Sequence, residues 1–230
     1  MKSHLVLKSM ALLFLITQSL LAWPQEGPAS KPVRPVLDNN IILNLFSQRV
    51  NEAKTDYKLS DIKFELGEFT NAGFIDAIVS FSDENQPHAT GYYEVWWLSY
   101  ENGWKIKKKL FDWDVGNFKI VDIGDQGRPK IWIEGNGGNQ GYFKFAGKLI
   151  SLSNGHEDTL FLTKGYNNTG AYGESDVFNI LFKDIDGDGL VEIVETRIKE
   201  KYDRVKQENI ITSKSEYIYK FNGKRYIGIK

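Results

Sequence analysis

The sequence predicts a mainly β fold, built of repeated antiparallel four-stranded sheets and preceded by one short helix. Three observations predict it. After Tyr57, short runs of aromatic and β-branched residues alternate with clusters of Gly, Asn and Asp, the pattern of strands and tight turns. The chain also repeats itself: ELGEFTNAGFIDAIVSF, KIVDIGDQGRPKIWIEG and LFKDIDGDGLVEIVETR share one plan. Each has an apolar strand, an acidic residue (Glu68, Asp122 or Asp184), a glycine five residues on (Gly73, Gly127 or Gly189) and a second apolar strand. The spacings of 54 and 62 residues suit one four-stranded unit per repeat, as in a propeller blade. Convincing helical periodicity is confined to one stretch, between Asp38 and Lys54.

The elements follow in order. Residues 1–22 read as a signal peptide: Lys2 and Lys8 precede the apolar run MALLFLITQSLLA, which ends in the small residue Ala22. That run is too short for a comfortable span of about 20 residues, which leaves a retained signal anchor as the alternative. No cysteine occurs anywhere, so neither a lipid-modified cysteine nor a disulfide can form. Residues 23–36, rich in proline, read as a flexible leader. Residues 37–230 then form a single β-rich repeat domain, long enough for one sizeable core. Its helix begins with Asp38 as cap and sets Ile41, Ile42, Leu45, Phe46 and Val50 on one face.

Strands are expected in IKFELGEF, DAIVSF, YYEVWWLSY, WKIKKKLF, FKIVDI, KIWIEG, YFKFAG, KLISL, VFNILF, EIVETRI and EYIYKF. Asn102-Gly103 and Asn222-Gly223 mark hairpin turns. In YYEVWWLSY, aromatics fall on both faces, which favours a strand buried between layers over a sugar platform. The lysines Lys107-Lys108-Lys109 mark a solvated or edge strand. GNGGNQG and GYNNTGAYG lack the lysine and hydroxyl ending of a phosphate loop and read as long hairpin loops.

The segment DIDGDGLVEIV, with its weaker copies EFTNAGFIDAIV and DIGDQGRPKIW, resembles the calcium loops of FG-GAP and VCBS repeats. The resemblance covers some dozen residues per repeat and implies a β-propeller of the integrin-head kind. The Phe-Gly and Gly-Ala-Pro signatures are absent, and three repeats are visible where closed propellers have four or more blades. Closure of the ring is left open.

In the third loop, Asp184, Asp186 and Asp188 stand at alternate positions, with the backbone carbonyl of Leu190 and the side chain of Glu192 next in line. Carboxylates at this spacing repel one another unless a cation compensates. Oxygen ligands in this order suit calcium; a well-solvated acidic turn is the plain alternative. The loop also fits the EF-hand pattern with Glu195 at position 12, but the alternation of Phe178, Ile180 and Phe182 before it is that of a strand. Glu195 is therefore only an additional candidate ligand. The first loop keeps Glu68, Thr70 and Asp76 but has Ala72 in place of a central carboxylate. In the second, Lys130 stands where Glu192 stands in the third, and is expected to pair with Asp122 as a built-in cation.

Catalytic constellations are thin. His4 leaves with the signal, His88 and His156 lie in polar segments, and neither HExxH nor GxSxG occurs. Asp112 with Asp114, or Glu157 with Asp158, could serve glycoside hydrolysis only across a cleft of suitable width. Removing residues 1–22 leaves 27 of the 29 basic side chains against 30 acidic ones, a net charge of −3, which argues against a nucleic-acid binder. The expectation is a periplasmic or secreted calcium-binding protein with no membrane span in its mature form, acting as a non-catalytic module for a protein or glycan partner. A secreted hydrolase of a cell-surface polymer and an envelope inhibitor or immunity-type protein are the alternatives.

Overall fold

Helix α1, Asn39–Ala53, starts where the sequence places it, because Asp38 Oδ1 accepts the Ile41 N–H at 2.8 Å. The computed structural model describes residues 35–53, 59–84, 93–139, 142–153, 155–168 and 173–229, with the backbone alone for 48–53. The signal peptide, the leader as far as Arg34, His88 and Tyr92 lie outside them. Among the described residues, twelve strands follow the helix: β1 Leu59–Gly67, β2 Asp76–Asp83, β3 Tyr93–Tyr100, β4 Trp104–Trp113, β5 Val115–Val121, β6 Lys130–Asn139, β7 Tyr142–Ser153, β8 His156–Asn167, β9 Glu174–Lys183, β10 Glu192–Asp203, β11 Glu208–Phe221 and β12 Tyr226–Gly228. The fold is mainly β, in two antiparallel sheets, and neither closes into a barrel.

Strands β1–β4 form one four-stranded meander, and β5–β12 form one eight-stranded meander. The eight-stranded sheet nearly divides in the middle. There β8 and β9 pair only through Tyr166–Asp176 and Asn167–Ser175. Beyond that junction, Trp132 and Phe161 from one side fill the space against Phe182 and Tyr219 from the other, with Trp132–Phe182 centroids 5.5 Å apart and Phe161–Tyr219 4.8 Å. The strands therefore fall into three successive meanders of four, and each repeated loop joins the first strand to the second.

These meanders stack face to face. The first buries Ala77, Val79, Phe81, Trp96 and Leu98 under α1, where Phe46 meets Phe81 at 4.7 Å and Trp96 at 5.3 Å. Its other face sends Ile78, Val95 and Trp97 against Phe118, Ile131, Ile133 and Ile150 of the second meander. The second turns Val121, Trp132, Leu149 and Phe161 toward Ile193 and Tyr226 of the third. Burial on both faces explains why β2 and β3 read as nearly continuous apolar runs. The aromatic run of β3 is core: Trp96 and Trp97 are buried, and their indole N–H groups donate to Glu94 (2.6 Å) and Asp76 (3.1 Å). Tyr100 is exposed.

Several sequence expectations change. Gly135–Asn139 of GNGGNQG belong to β6 and pair with β7, rather than forming a loop. Glycine is needed there because a Cβ on Gly138 would lie 1.9 Å from the Tyr142 carbonyl oxygen. YFKFAG and KLISL merge into β7, and β8 arises from HEDTLFLTKGYN, which carries only a short buried core around Leu160, Phe161 and Thr163. The charged segment after the third loop is strand as far as Asp203, so that loop lies between β9 and β10 and not between helices. Lys107–Lys109 do lie on an edge strand, β4.

Candidate metal centre

The third loop spans the turn from Lys183, the end of β9, to Glu192, the start of β10. Phe182 and Ile193 anchor those strand ends in the core, so the intervening residues must reverse the chain in a short distance. Gly187 and Gly189 allow it by taking φ of 75° and 86°. The reversal points backbone N–H groups inward, toward carboxylates. Asp184 accepts from Gly187 (2.7 Å) and Gly189 (3.0 Å), Asp186 from Asp188 (3.3 Å), and Asp188 from Leu190 (2.8 Å). Asp184, Asp186 and Asp188 each place an oxygen within 4.8 Å of the others. Leu190 donates its N–H to Asp188, which leaves its carbonyl, the atom the sequence expects to contribute, outside that hydrogen bond.

Glu192 closes the loop from below. Its side chain is 2% exposed, and Oε2 accepts the Ile185 N–H at 2.8 Å. Its other oxygen, Oε1, is buried without a hydrogen-bond partner. Leaving a carboxylate oxygen in that condition costs on the order of 1–3 kcal/mol. The nearest cation is one the sequence reading missed, Lys220 of β11. Its Nζ lies 3.8 Å from Glu192 Oε1 and 2.6 Å from both Asp186 Oδ2 and Asp188 Oδ2. The hydrogen bonds that Lys220 donates to Asp186 and Asp188 push its ammonium further toward the charged form, and Lys220 in turn holds Asp188 below the ordinary carboxylate range.

The same position in the other two loops is satisfied internally. In the first loop Asp76 takes the place of Glu192. Its Oδ2 accepts from the Thr70 N–H (3.0 Å) and hydroxyl (2.8 Å), and its Oδ1 from Trp97 (3.1 Å). Glu68 is spent on the Gly73 N–H at 3.1 Å. In the second loop Lys130 pairs with Asp125 at 3.1 Å and donates to the Arg128 carbonyl at 2.8 Å. The expected Lys130–Asp122 pair does not form, because Asp122 folds back onto the Gly124 N–H at 2.9 Å.

Glu195 is also removed from the ligand set. Strand alternation sends it to the face opposite Glu192, where it accepts from Tyr219 (2.8 Å), Arg197 (3.1 Å) and Thr163. Second and third loops touch each other: the Val191 N–H donates to the Ile123 carbonyl at 3.0 Å, and Tyr226 donates to the Val191 carbonyl at 2.7 Å. Burial, reinforced by Asp125 and Glu192, pushes the Tyr226 hydroxyl well above its ordinary range.

The carboxylates singled out for hydrolysis are occupied elsewhere. Glu157 bridges Lys108 and Lys148 at 2.7 Å each; burial opposes its charge, but the two lysines outweigh that and hold its pKa down. Asp114 accepts the Gly138 N–H at 2.9 Å and Asp112 lies 3.5 Å from Lys109. His156 opens β8 and is exposed. At the end of β5 away from the second loop, a cleft of about 360 Å³ opens between the second and third meanders. Asn117, Glu134, Asn136, Phe145, Phe178 and Asn179 contribute to its lining. Glu134 Oε2 accepts the Trp132 indole N–H at 2.9 Å.

No helix among the described residues is long and apolar enough to cross a membrane. Comparison of the chain with family models, with curated proteins and with solved structures finds no match.

Proposed function

We propose that this chain is an exported, calcium-stabilised module of propeller-like β repeats, of FG-GAP/VCBS type, that binds a protein or glycan partner without catalysing a reaction. One observation carries the metal half of this reading. Among the described residues, only the third of the related loops gathers three aspartates with oxygens within 4.8 Å of one another, beside a buried carboxylate oxygen, Glu192 Oε1, that has no hydrogen bond and lies 3.8 Å from the Lys220 ammonium bridging two of them. That donor set is all oxygen, which suits a hard cation such as calcium. Asp184, Asp186, Asp188 and Glu192 would hold the ion through side chains and Leu190 through its carbonyl. The bound ion would neutralise the converging carboxylates and fasten β9 to β10. Face-to-face stacking of three meanders, with the loops at one position in each, supports the propeller-like reading.

The binding half rests on the cleft between the second and third meanders. Amide side chains, one carboxylate and two phenylalanine rings suit a polyhydroxylated ligand better than hydrolysis, which generally needs two opposed carboxylates about 5–10 Å apart. A mature protein that cut a cell-surface polysaccharide would overturn this half.

Thermal unfolding with calcium, with chelator, and in Asp184→Ala/Asp188→Ala tests the metal half. The expected result is a calcium-dependent rise in Tm that disappears in the double variant. At calcium one hundred times Kd the stabilisation should be about 2.7 kcal/mol. Superimposable curves in calcium and chelator would sink the reading.

A further inference from the structure

We infer that Lys220 is a built-in competitor for the third loop, an ammonium that a divalent cation must displace in order to enter. This rests on the calcium reading above and adds what regulates the site. The Nζ atom lies 2.6 Å from one oxygen each of Asp186 and Asp188. Those distances fall at the upper end of calcium–oxygen bond lengths, about 2.3–2.6 Å. The ammonium thus stands where a cation shared by these two carboxylates would stand, and two positive charges cannot occupy one such position.

Glu192 shows that the ammonium does not satisfy the loop completely. Its buried Oε1 is 3.8 Å from Nζ and has no hydrogen-bond partner. The lysine serves two carboxylates at bonding distance and leaves the third as a longer-range charge pair. A divalent ion has the charge and coordination number to serve all of them.

Comparison with the second loop indicates that Lys220 can leave. Lys130 is 7% exposed and pinned by both Asp125 and the Arg128 carbonyl. The Lys220 side chain is 31% exposed, and among the described residues it pairs with the carboxylates of Asp186, Asp188 and Glu192. The two lysines therefore differ in kind: Lys130 replaces a cation permanently, whereas Lys220 holds its place until a better one arrives. Competition of this kind lowers apparent affinity, so that the loop responds to the high calcium levels outside cells rather than filling at trace concentrations.

Calorimetric titration of the mature protein with calcium chloride, in wild type, Lys220→Gln and Lys220→Arg, tests the inference, with melting curves in chelator alongside. Lys220→Gln should bind severalfold, up to about fivefold, more tightly than wild type, and should melt lower in chelator because the aspartates repel unopposed. Lys220→Arg keeps the charge and should stay near wild type in both measurements. Equal or weaker calcium affinity in Lys220→Gln, with clear binding in wild type, would overturn the competition and leave the calcium reading intact. No binding in either protein would overturn the calcium reading itself, and the inference with it.

Discussion

Tyr219 shows how single residues set the behaviour of this molecule. It sits at the seam between the second and third meanders and donates its hydroxyl to Glu195 Oε2 at 2.8 Å. Burial first, and then the Glu195 carboxylate, push its pKa from 10.0 up to about 12. A group whose proton is held more tightly in the folded chain stabilises it below the unfolded pKa. That contribution is lost as pH rises through the folded value. Wild type should therefore lose stability between pH 10 and about 12 more steeply than Tyr219→Phe, as read from urea unfolding across that window. Equal slopes in the two proteins would show that the hydroxyl is not protected at the seam. At the same scale, the third loop was legible in the sequence because its aspartates are neighbours in the chain. Lys220 was not: it lies 34 residues from Asp186 and 32 from Asp188, and only the β10–β11 register, which pairs Ile193 with Tyr219, brings it to the loop.

Among the elements, the second loop supports the third although it holds no acidic cluster of its own. Gly124 adopts φ of +74°, and a Cβ there would lie 1.8 Å from the Gly189 carbonyl oxygen. Gly124→Ala should therefore force the loops apart, lowering Tm by several degrees and weakening calcium binding at a site that Gly124 does not ligate. Unchanged melting and affinity would mean that the loops are independent. Helix α1 was readable because Asp38 caps it and Ile42 and Phe46 recur at helical spacing onto the first sheet. Strand β8 was hidden, since its polar start HEDT and its ending GYN look like loop, and its identity comes from pairing with β7. The glycines of β6 misled for a related reason. They read as flexibility, but Gly135 and Gly138 are required by the close approach of Val115 and Tyr142.

For the whole molecule, a mainly β chain with three related loops, each joining two consecutive strands, was visible as self-similarity at 54 and 62 residues. What that period could not show was continuity. Whether β8 joins β9 depends on two residue pairs, Tyr166–Asp176 and Asn167–Ser175, with no pattern of their own. The result is a stack in which α1 and the three meanders share successive cores, and related loops have met one structural demand in three ways. Asp76 uses Thr70 and Trp97, Lys130 uses Asp125, and Glu192 leaves one buried oxygen without a hydrogen bond, 3.8 Å from the Lys220 ammonium. In the first and second loops protein groups make these contacts, which leaves no buried polar atom unsatisfied at Asp76 or Lys130. Native mass spectrometry of the mature protein, desalted and then equilibrated with calcium, tests this most directly by counting ions per chain. The account predicts one bound calcium, absent from Asp184→Ala/Asp188→Ala. No ion, or an ion count the double variant leaves unchanged, would contradict it.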